Sequence, residues 1–143
     1  AAVTVVVGKA ASAAAQNLVT DTEKALMKAL SAVQAGVRVG DISNAAQSVL
    51  ESKYGIVRDL VGHGVGHQLH EDPNIPNYGK KGTGPTLVAG MTVAIEPMAT
   101  LGDYRIKTDA DGWTIRTADG SIAAHFEHTI LITHDGTEIL TAL

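Results

Sequence analysis

The sequence contains no cysteine in its 143 residues. It therefore offers no disulfide framework, no thiolate metal site and no cysteine nucleophile. Aromatic side chains are nearly as rare, at 3% of the residues, whereas 45% of the residues are hydrophobic. A core must then be built from Val, Ile, Leu and Ala, and a chain of this length corresponds to one domain of ordinary size.

Neither sign of charge is in large excess. The 11 basic and 15 acidic residues leave a net charge of −4 at pH 7. A weakly acidic chain gives no basis for binding nucleic acid or an anionic membrane surface. The apolar stretch 1–7 is too short to cross a bilayer. We expect a cytoplasmic protein without nucleic-acid or membrane partners.

Helical periodicity is confined to the first part of the chain. Apolar residues recur at every third or fourth position over 13–35, with Ser12 placed to cap the start and Gly36 following the end. A second amphipathic segment begins at Asp41 as its cap and ends before Gly55. We expect both helices to cover one face of a sheet and to contact no substrate.

Most of the remaining chain carries strand signals. The β-branched stretch 3–7 predicts a strand, while the Pro, Gly, Asn and Lys residues of 73–85 predict a surface loop. Asp-Gly pairs mark hairpin turns in the second half. Further strands are predicted over 91–97, 104–107, 113–117, 126–133 and 138–140. The sum is an α+β fold with two helices on a curved, mainly antiparallel sheet.

Three histidines lie in a glycine-rich stretch, G-H-G-V-G-H-Q-L-H-E-D-P, which begins at Gly62. Glycine has no side chain and accepts positive φ, so such a stretch can bend closely around a ligand. His63, between two glycines, and His70, seven residues later, are candidates to point into a site. Loop histidines that bind nothing are common, and the stretch alone leaves that alternative open.

Two glutamates lie inside apolar runs, Glu96 in T-V-A-I-E-P-M and Glu127 in H-F-E-H-T-I. A buried carboxylate is costly unless it is paired or bound to a metal. The alternative for each glutamate is the wet face of an edge strand. With His63 they form a nitrogen and oxygen donor set without sulfur, which suits a divalent first-row metal. Strand alternation also puts His125 on the same face as Glu127.

These stretches resemble type I methionine aminopeptidases of the pita-bread family. The motifs G-H-G-V-G, L-H-E-D-P, I-E-P-M, D-G-W-T and F-E-H-T stand in the family's order and at its spacing, over nearly the whole chain. The resemblance implies half of a pita-bread fold, with residues 1–143 forming the C-terminal portion of the catalytic domain. Proline-specific pita-bread aminopeptidases rank second, because they typically read E-P-G at Glu96-Pro97-Met98 and lack F-E-H-T.

The resemblance implies an enzyme that removes the N-terminal methionine from peptides and nascent proteins. It would use two divalent metal ions (Mn, Fe, Co or Zn), and the matching metal ligands are His63, Glu96 and Glu127. Glu96 would also be catalytic as general base and acid. His70 would be catalytic by hydrogen-bonding the peptide carbonyl. The substrate-binding residues implied by the same match are Leu69, His70 and Trp113.

Two further ligands of the family, both aspartates, have no match here. The second of them directly precedes the segment that matches Ala1–Val3, and Asp109, Asp111 and Asp119 lie in turns beyond the motifs. We therefore expect a complementary N-terminal half, in the same protein or in another chain, to supply them. A catalytically incomplete half that serves as a binding or structural module is the remaining alternative. The resemblance gives His125 no more than a supporting role beside Glu127.

Overall fold

The computed structural model of the protein describes residues 1–8 and 12–142. Two helices come first along the chain, α1 (Ala13–Ser31) and α2 (Val39–Leu50). The strands of the described residues are β1 (Gly55–Ile56), β2 (Gly62–Gly64), β3 (Glu71–Ile75), β4 (Thr92–Ile95), β5 (Met98–Thr100), β6 (Ile106–Thr108), β7 (Ile115–Thr117), β8 (Ala123–His125), β9 (His128–Ile132) and β10 (Thr137–Ile139).

The strands form antiparallel sheets. The largest has five strands in the order β10-β9-β4-β2-β3, a second has the order β1-β5-β8, and β6 pairs with β7 alone. Every ladder in these sheets is antiparallel. The α+β architecture predicted from the sequence, two helices with mainly antiparallel sheets, is confirmed.

Two long segments pass through both of the larger sheets. β4 leads directly into β5, and β8 leads directly into β9. The pairs that flank the junction are Ile95 with His128 and Met98 with His125. Between these pairs, Glu96 and Pro97 on one segment face Phe126 and Glu127 on the other. Both glutamates of the sequence motifs therefore lie where the two sheets meet.

The helices cover one face of the five-stranded sheet, as predicted. Their apolar side chains form one buried cluster with alternate residues of the central strands, including Val93, Ile95, Ile130 and Ile132. Within the described chain, Phe126 is the cluster's one aromatic member. Burying each aliphatic side chain of this size contributes about 1.5–3 kcal/mol. An aliphatic core thus holds the sheet and the helices together.

The helix boundaries differ from the predicted ones. Ser12 does cap α1, since its hydroxyl accepts a hydrogen bond from the Ala15 amide at 3.2 Å. The helix ends at Ser31, however, because the chain turns so that the Gly36 amide donates to Leu87 O at 2.8 Å. Asp41 lies in the first turn of α2 and accepts from the Arg38 amide at 3.3 Å. Neither helix combines the length and hydropathy that crossing a membrane requires.

The strand predicted over 3–7 is not formed, and the loop predicted over 73–85 begins inside a strand. Of residues 1–8, only Ala2 takes part in β pairing, in a bridge to Glu127, and Val7 is 91% exposed. A strand needs a neighbour, and the described chain offers no further edge along 3–7. In the predicted loop, β3 runs through Pro73 and pairs with β2. Proline is tolerated there because β3 is the edge strand of its sheet.

One carboxylate joins the two helices. Oδ2 of Asp21 on α1 accepts hydrogen bonds from Lys53 Nζ and from the Tyr54 hydroxyl, each at 3.0 Å, just beyond the end of α2. The bond from Lys53, joined by that from Tyr54, lowers the pKa of Asp21 against the opposing effect of burial. Burial and the bond to Asp21 raise the pKa of Tyr54. The ionised carboxylate is therefore the form that the fold stabilises.

We predict that Asp21→Asn lowers the free energy of unfolding by about 1 kcal/mol at pH 7, since a charge-assisted hydrogen bond is lost. Because the pKa of Asp21 is lower in the folded state, the stabilisation by its carboxylate is fully present above the unfolded-state pKa. It is lost as the pH falls through the folded-state pKa. Urea titrations at pH 7 and at successively lower pH measure the difference. It should shrink with acidification, whereas Glu23→Gln, at an exposed position of α1, should change little at any pH.

Candidate metal centre

A cavity of about 650 Å³ opens where the two larger sheets meet. Its wall includes three histidines and the glutamate of the I-E-P-M motif, which come from three separate stretches of the chain. These residues are His63, His70, Glu96 and His125. The structure thus gathers two of the three histidines of the glycine-rich stretch with Glu96.

The site lies on the sheet face opposite the helices. His63 on β2 pairs directly with Ala94 on β4, and paired residues share a face. Ala94 lies between Val93 and Ile95, which pack towards the helices, so its own side chain points the other way. Glu96 follows Ile95 and continues the alternation. A small residue beside His63 leaves room for a ligand above the sheet.

Close strand packing explains the glycines around His63. A Cβ on Gly62 would collide with the backbone oxygen of Ala94, and one on Gly64 would collide with the backbone oxygen of Asp72. Neither glycine has positive φ. The lack of a side chain, rather than tolerance of positive φ, is therefore the property that matters here. These glycines instead let β2 approach its two neighbours closely enough to hold the histidine between them.

The imidazole of His63 is held in one tautomer. Its Nδ1 lies 2.9 Å from Gly64 O, and a carbonyl oxygen can only accept, so Nδ1 carries the proton. The other nitrogen, Nε2, is the ring atom left to bind a ligand, and it lies 3.7 Å from Glu96 Oε1. The residue is only 7% exposed. A ring nitrogen and a carboxylate oxygen at this separation in a shielded place fit a cation between them.

Glu96 is fixed through its backbone by a residue that sequence reasoning missed. The buried Asn77 donates from Nδ2 to Glu96 O at 3.1 Å. Asn77 lies in the segment predicted as a surface loop. Nothing in N-I-P-N-Y-G separates it from Asn74, which is exposed. Only the folded chain shows that one of the two asparagines supports the site.

Glu127 completes a donor group with Glu96 and His125. One ligand atom from each residue lies within 4.8 Å of the other two. The backbone of Glu127 is held by Ala2, whose amide and carbonyl make hydrogen bonds of 3.2 and 2.9 Å with it. Ala1 N lies 3.4 Å from Glu127 Oε2. The two residues that precede the predicted strand 3–7 therefore contact the donor group.

The remaining predicted residues take different places. The His70 ring lies 4.2 Å from the His63 ring, centroid to centroid, at the exposed side of the cavity. Leu69 and Trp113 are 71% and 87% exposed and lie outside the described cavity wall. Their role in binding substrate stays a prediction. His67 is exposed, as expected.

The sequence profile of metallopeptidase family M24 matches residues 1–134. The chain belongs to this family. Its sequence is 48% identical over 130 residues to the methionine aminopeptidase of Clostridium perfringens (strain 13 / Type A), which covers 90% of this chain and 52% of that protein. The chain spans about half the length of the curated relatives it matches.

Solved structures of the M24 family give the same result for the fold. A crystal structure of the methionine aminopeptidase from Thermotoga maritima matches with a TM-score of 0.95 and 52% identity, covering 99% of this chain and 57% of that one. The Xaa-Pro dipeptidase from Bacillus anthracis matches with a TM-score of 0.73 but only 20% identity, over 99% of this chain and 34% of that one. The pita-bread fold and the resemblance to methionine aminopeptidases are confirmed, and the proline-specific alternative is not favoured.

A metallopeptidase needs metal ligands, and the donors of this chain fit that need. They are imidazole nitrogens and carboxylate oxygens, without sulfur, as divalent first-row ions accept. The position of His63 Nε2 beside Glu96 is the observation that carries the fit. Asn77 binds the backbone of Glu96 and Gly64 O binds the His63 ring, and both contacts are of the supporting kind that metal ligands usually have.

We predict that Gly64→Ala lowers the free energy of unfolding by about 1–3 kcal/mol, because its Cβ would meet the backbone of β3. Gly66→Ala is the matched control two residues away, since its Cβ would meet only the carboxylate end of the Glu71 side chain, which can move. Urea unfolding of both variants measures the difference. Equal losses of stability would contradict the close-packing explanation.

Proposed function

We propose that residues 1–143 form the C-terminal portion of a methionine aminopeptidase catalytic domain. The substrates would be N-terminal methionines of peptides and nascent proteins, which places the activity in the cytoplasm. Identities of 48% and 52% to proteins named methionine aminopeptidase support the proposal. The single observation that carries it is the meeting of His63, His70 and Glu96 in one cavity, beside Glu127.

We propose that His63, Glu96 and Glu127 bind two divalent ions, drawn from Mn, Fe, Co and Zn. Nitrogen and oxygen donors accept all four, so availability rather than the donor set would select among them. When bound, such ions would lower the pKa of a water molecule and polarise the scissile carbonyl. His63 Nε2 lies 3.7 Å from Glu96 Oε1, and Glu96 and Glu127 belong to one donor group, which supports a common metal centre.

The proposed reaction gives Glu96 and His70 separate roles. Glu96 accepts a proton from the attacking water and delivers it to the leaving amine, and a half-buried carboxylate at the centre of the cavity suits that transfer. His70 donates a hydrogen bond to the peptide carbonyl and stabilises the negative charge that develops on its oxygen. Its exposed position against His63 leaves the imidazole free to meet a substrate.

Leu69 and Trp113 are proposed to contact the methionine side chain. Leu69 directly precedes His70, and both apolar side chains are largely exposed. Covering the water-exposed surface of large apolar side chains with a thioether side chain lowers the free energy. Their exposure in the described chain is thus compatible with a pocket that the substrate helps to close.

A complementary N-terminal half is proposed as a partner. The curated relatives are about twice as long as this chain, and the resemblance puts two aspartate ligands ahead of the segment that matches Ala1–Val3. Because Ala1 N lies 3.4 Å from Glu127 Oε2, a residue bonded there would adjoin the donor group. Val3, Val5 and Val7 are exposed along the same segment.

We predict that this chain, mixed with a separately produced N-terminal half that carries the two aspartates, releases methionine from a Met-Ala-Ser peptide in the presence of Mn²⁺ or Co²⁺. Glu96→Gln should lower kcat by at least about 100-fold, because the proton transfer is lost. Glu138→Gln, at an exposed position, is the matched control and should leave the rate unchanged.

Three other outcomes have distinct meanings. Activity of the chain alone would show that ligands within it complete the site and that no second half is needed. Preferential cleavage of an Xaa-Pro peptide would replace methionine removal by the proline-specific alternative. Absence of activity in every mixture, with folded protein, would contradict the enzyme proposal in favour of a binding or structural module.

A further inference from the structure

The side chain of Arg58 lies between the rings of two tyrosines. Its guanidinium carbon is 4.4 Å from the centroid of the Tyr104 ring and 5.2 Å from that of the Tyr78 ring. A cation over an aromatic face is attracted by the negative charge of that face. Among the described residues, no carboxylate lies within ion-pair distance of Arg58. The two rings therefore hold this side chain in place of a salt bridge.

Both tyrosines are carried by firmly held backbone. Tyr78 directly follows Asn77, which is buried and binds the main chain of the site through its side chain. Tyr104 directly follows Asp103, whose carbonyl oxygen accepts a hydrogen bond from the hydroxyl of the buried Thr100 at 2.9 Å. The rings therefore offer Arg58 two fixed contacts from separate parts of the chain.

The segment that follows Arg58 lines the cavity of the candidate metal centre. It lies between β1, which ends at Ile56, and β2, which begins at Gly62, so strand pairing does not fix it. A segment outside the ladders depends on side-chain contacts for its position. Its cavity-lining residues are Asp59, Leu60 and Val61.

Arg58 holds this part of the cavity wall from behind. Together with both tyrosine rings it lines a separate cleft of about 160 Å³, whereas residues 59–61 line the cavity itself. The guanidinium therefore acts on the cavity through the main chain that leads directly from Arg58 into the wall. Because both rings stay fixed, the contacts limit how far residues 59–61 can move, as a preorganised binding site requires.

We propose that Arg58 is a positioning residue for substrate binding, which keeps residues 59–61 in the place where they meet a bound peptide. This inference rests on the proposed function and adds to it a residue outside the cavity. Glu96 has its own support in Asn77. Loss of the Arg58 contacts should therefore weaken peptide binding equally in the ground state and in the transition state. Such a loss raises KM and leaves kcat unchanged.

The first measurement is methyl NMR of the full chain, labelled with ¹³C at the methyl groups of leucine and valine. Arg58→Met removes the cation but keeps a long side chain, and Arg58→Lys keeps a cation. Arg105→Met is the matched control, because Arg105 also lies over the Tyr104 ring, at 5.1 Å, but neither it nor its neighbours in sequence line the cavity.

We expect the order parameters of the Leu60 and Val61 methyl groups to fall in Arg58→Met. They should recover in part in Arg58→Lys, since an ammonium group is attracted to the rings but does not stack on them as a guanidinium does. Arg105→Met should keep the wild-type values. The methyl groups of Leu87, which is fully buried, should be unchanged in every variant and so establish that each is folded.

The second measurement is the kinetics of methionine release from a Met-Ala-Ser peptide by the chain mixed with the complementary N-terminal half and Mn²⁺. Arg58→Met should raise KM about fivefold and leave kcat within about twofold of the wild-type value, as expected for the loss of cation–π contacts that serve binding alone. Arg58→Lys should have an intermediate KM. Arg105→Met should have wild-type constants.

The other outcomes separate this inference from the proposed function. Unchanged order parameters of Leu60 and Val61 in Arg58→Met would overturn the inference and leave the proposed function in place. A fall in these order parameters with an unchanged KM, or equal effects of Arg58→Met and Arg105→Met, would overturn it as well, because the role of Arg58 would then be structural only. A wild-type mixture without activity would contradict the proposed function, and the inference would fall with it.

Discussion

The break in the ladder between the two larger sheets is the constraint on which the site depends. Pro97 has no amide hydrogen and cannot continue a ladder, so the pairing stops after Ile95 and resumes at Met98. The backbone groups freed there find other partners, since Asn77 binds Glu96 O and Ala2 binds Glu127. Two carboxylates are thereby brought together where the two sheets meet.

Placing these carboxylates together has an electrostatic cost. At separations within 4.8 Å, two unit negative charges repel by at least about 3.5 kcal/mol at an effective dielectric constant near 20. The helix side of the sheet offsets such a cost through its aliphatic cluster, where Val93 and Ile130 are fully buried. The core residues that stabilise the fold and the candidate metal ligands thus lie on opposite faces of the same strands. A cation on the open face would turn the repulsion into attraction for both glutamates.

Sequence reasoning succeeded where one local pattern determines the outcome. Helix α1 follows from its periodicity and from the Ser12 cap, and the grouping of His63 with Glu96 follows from a recognisable set of motifs. It failed where contacts with residues distant in the chain determine the local structure. Residues 3–7 have strand propensity but no neighbouring edge, and a loop-like composition hid the burial of Asn77. Likewise, the glycines beside His63 are required by the close approach of the adjacent strands, which the spacing of the sequence motifs does not show.

The two faces of the sheet also explain how the described residues orient their metal donors. The helices bury one face within the described chain, so the strands that hold the donors do not depend on further layers for their order. On the other face, His63 pairs with the small Ala94, and the cavity stays open beside it. Orientation of the ligands is therefore a property of these residues.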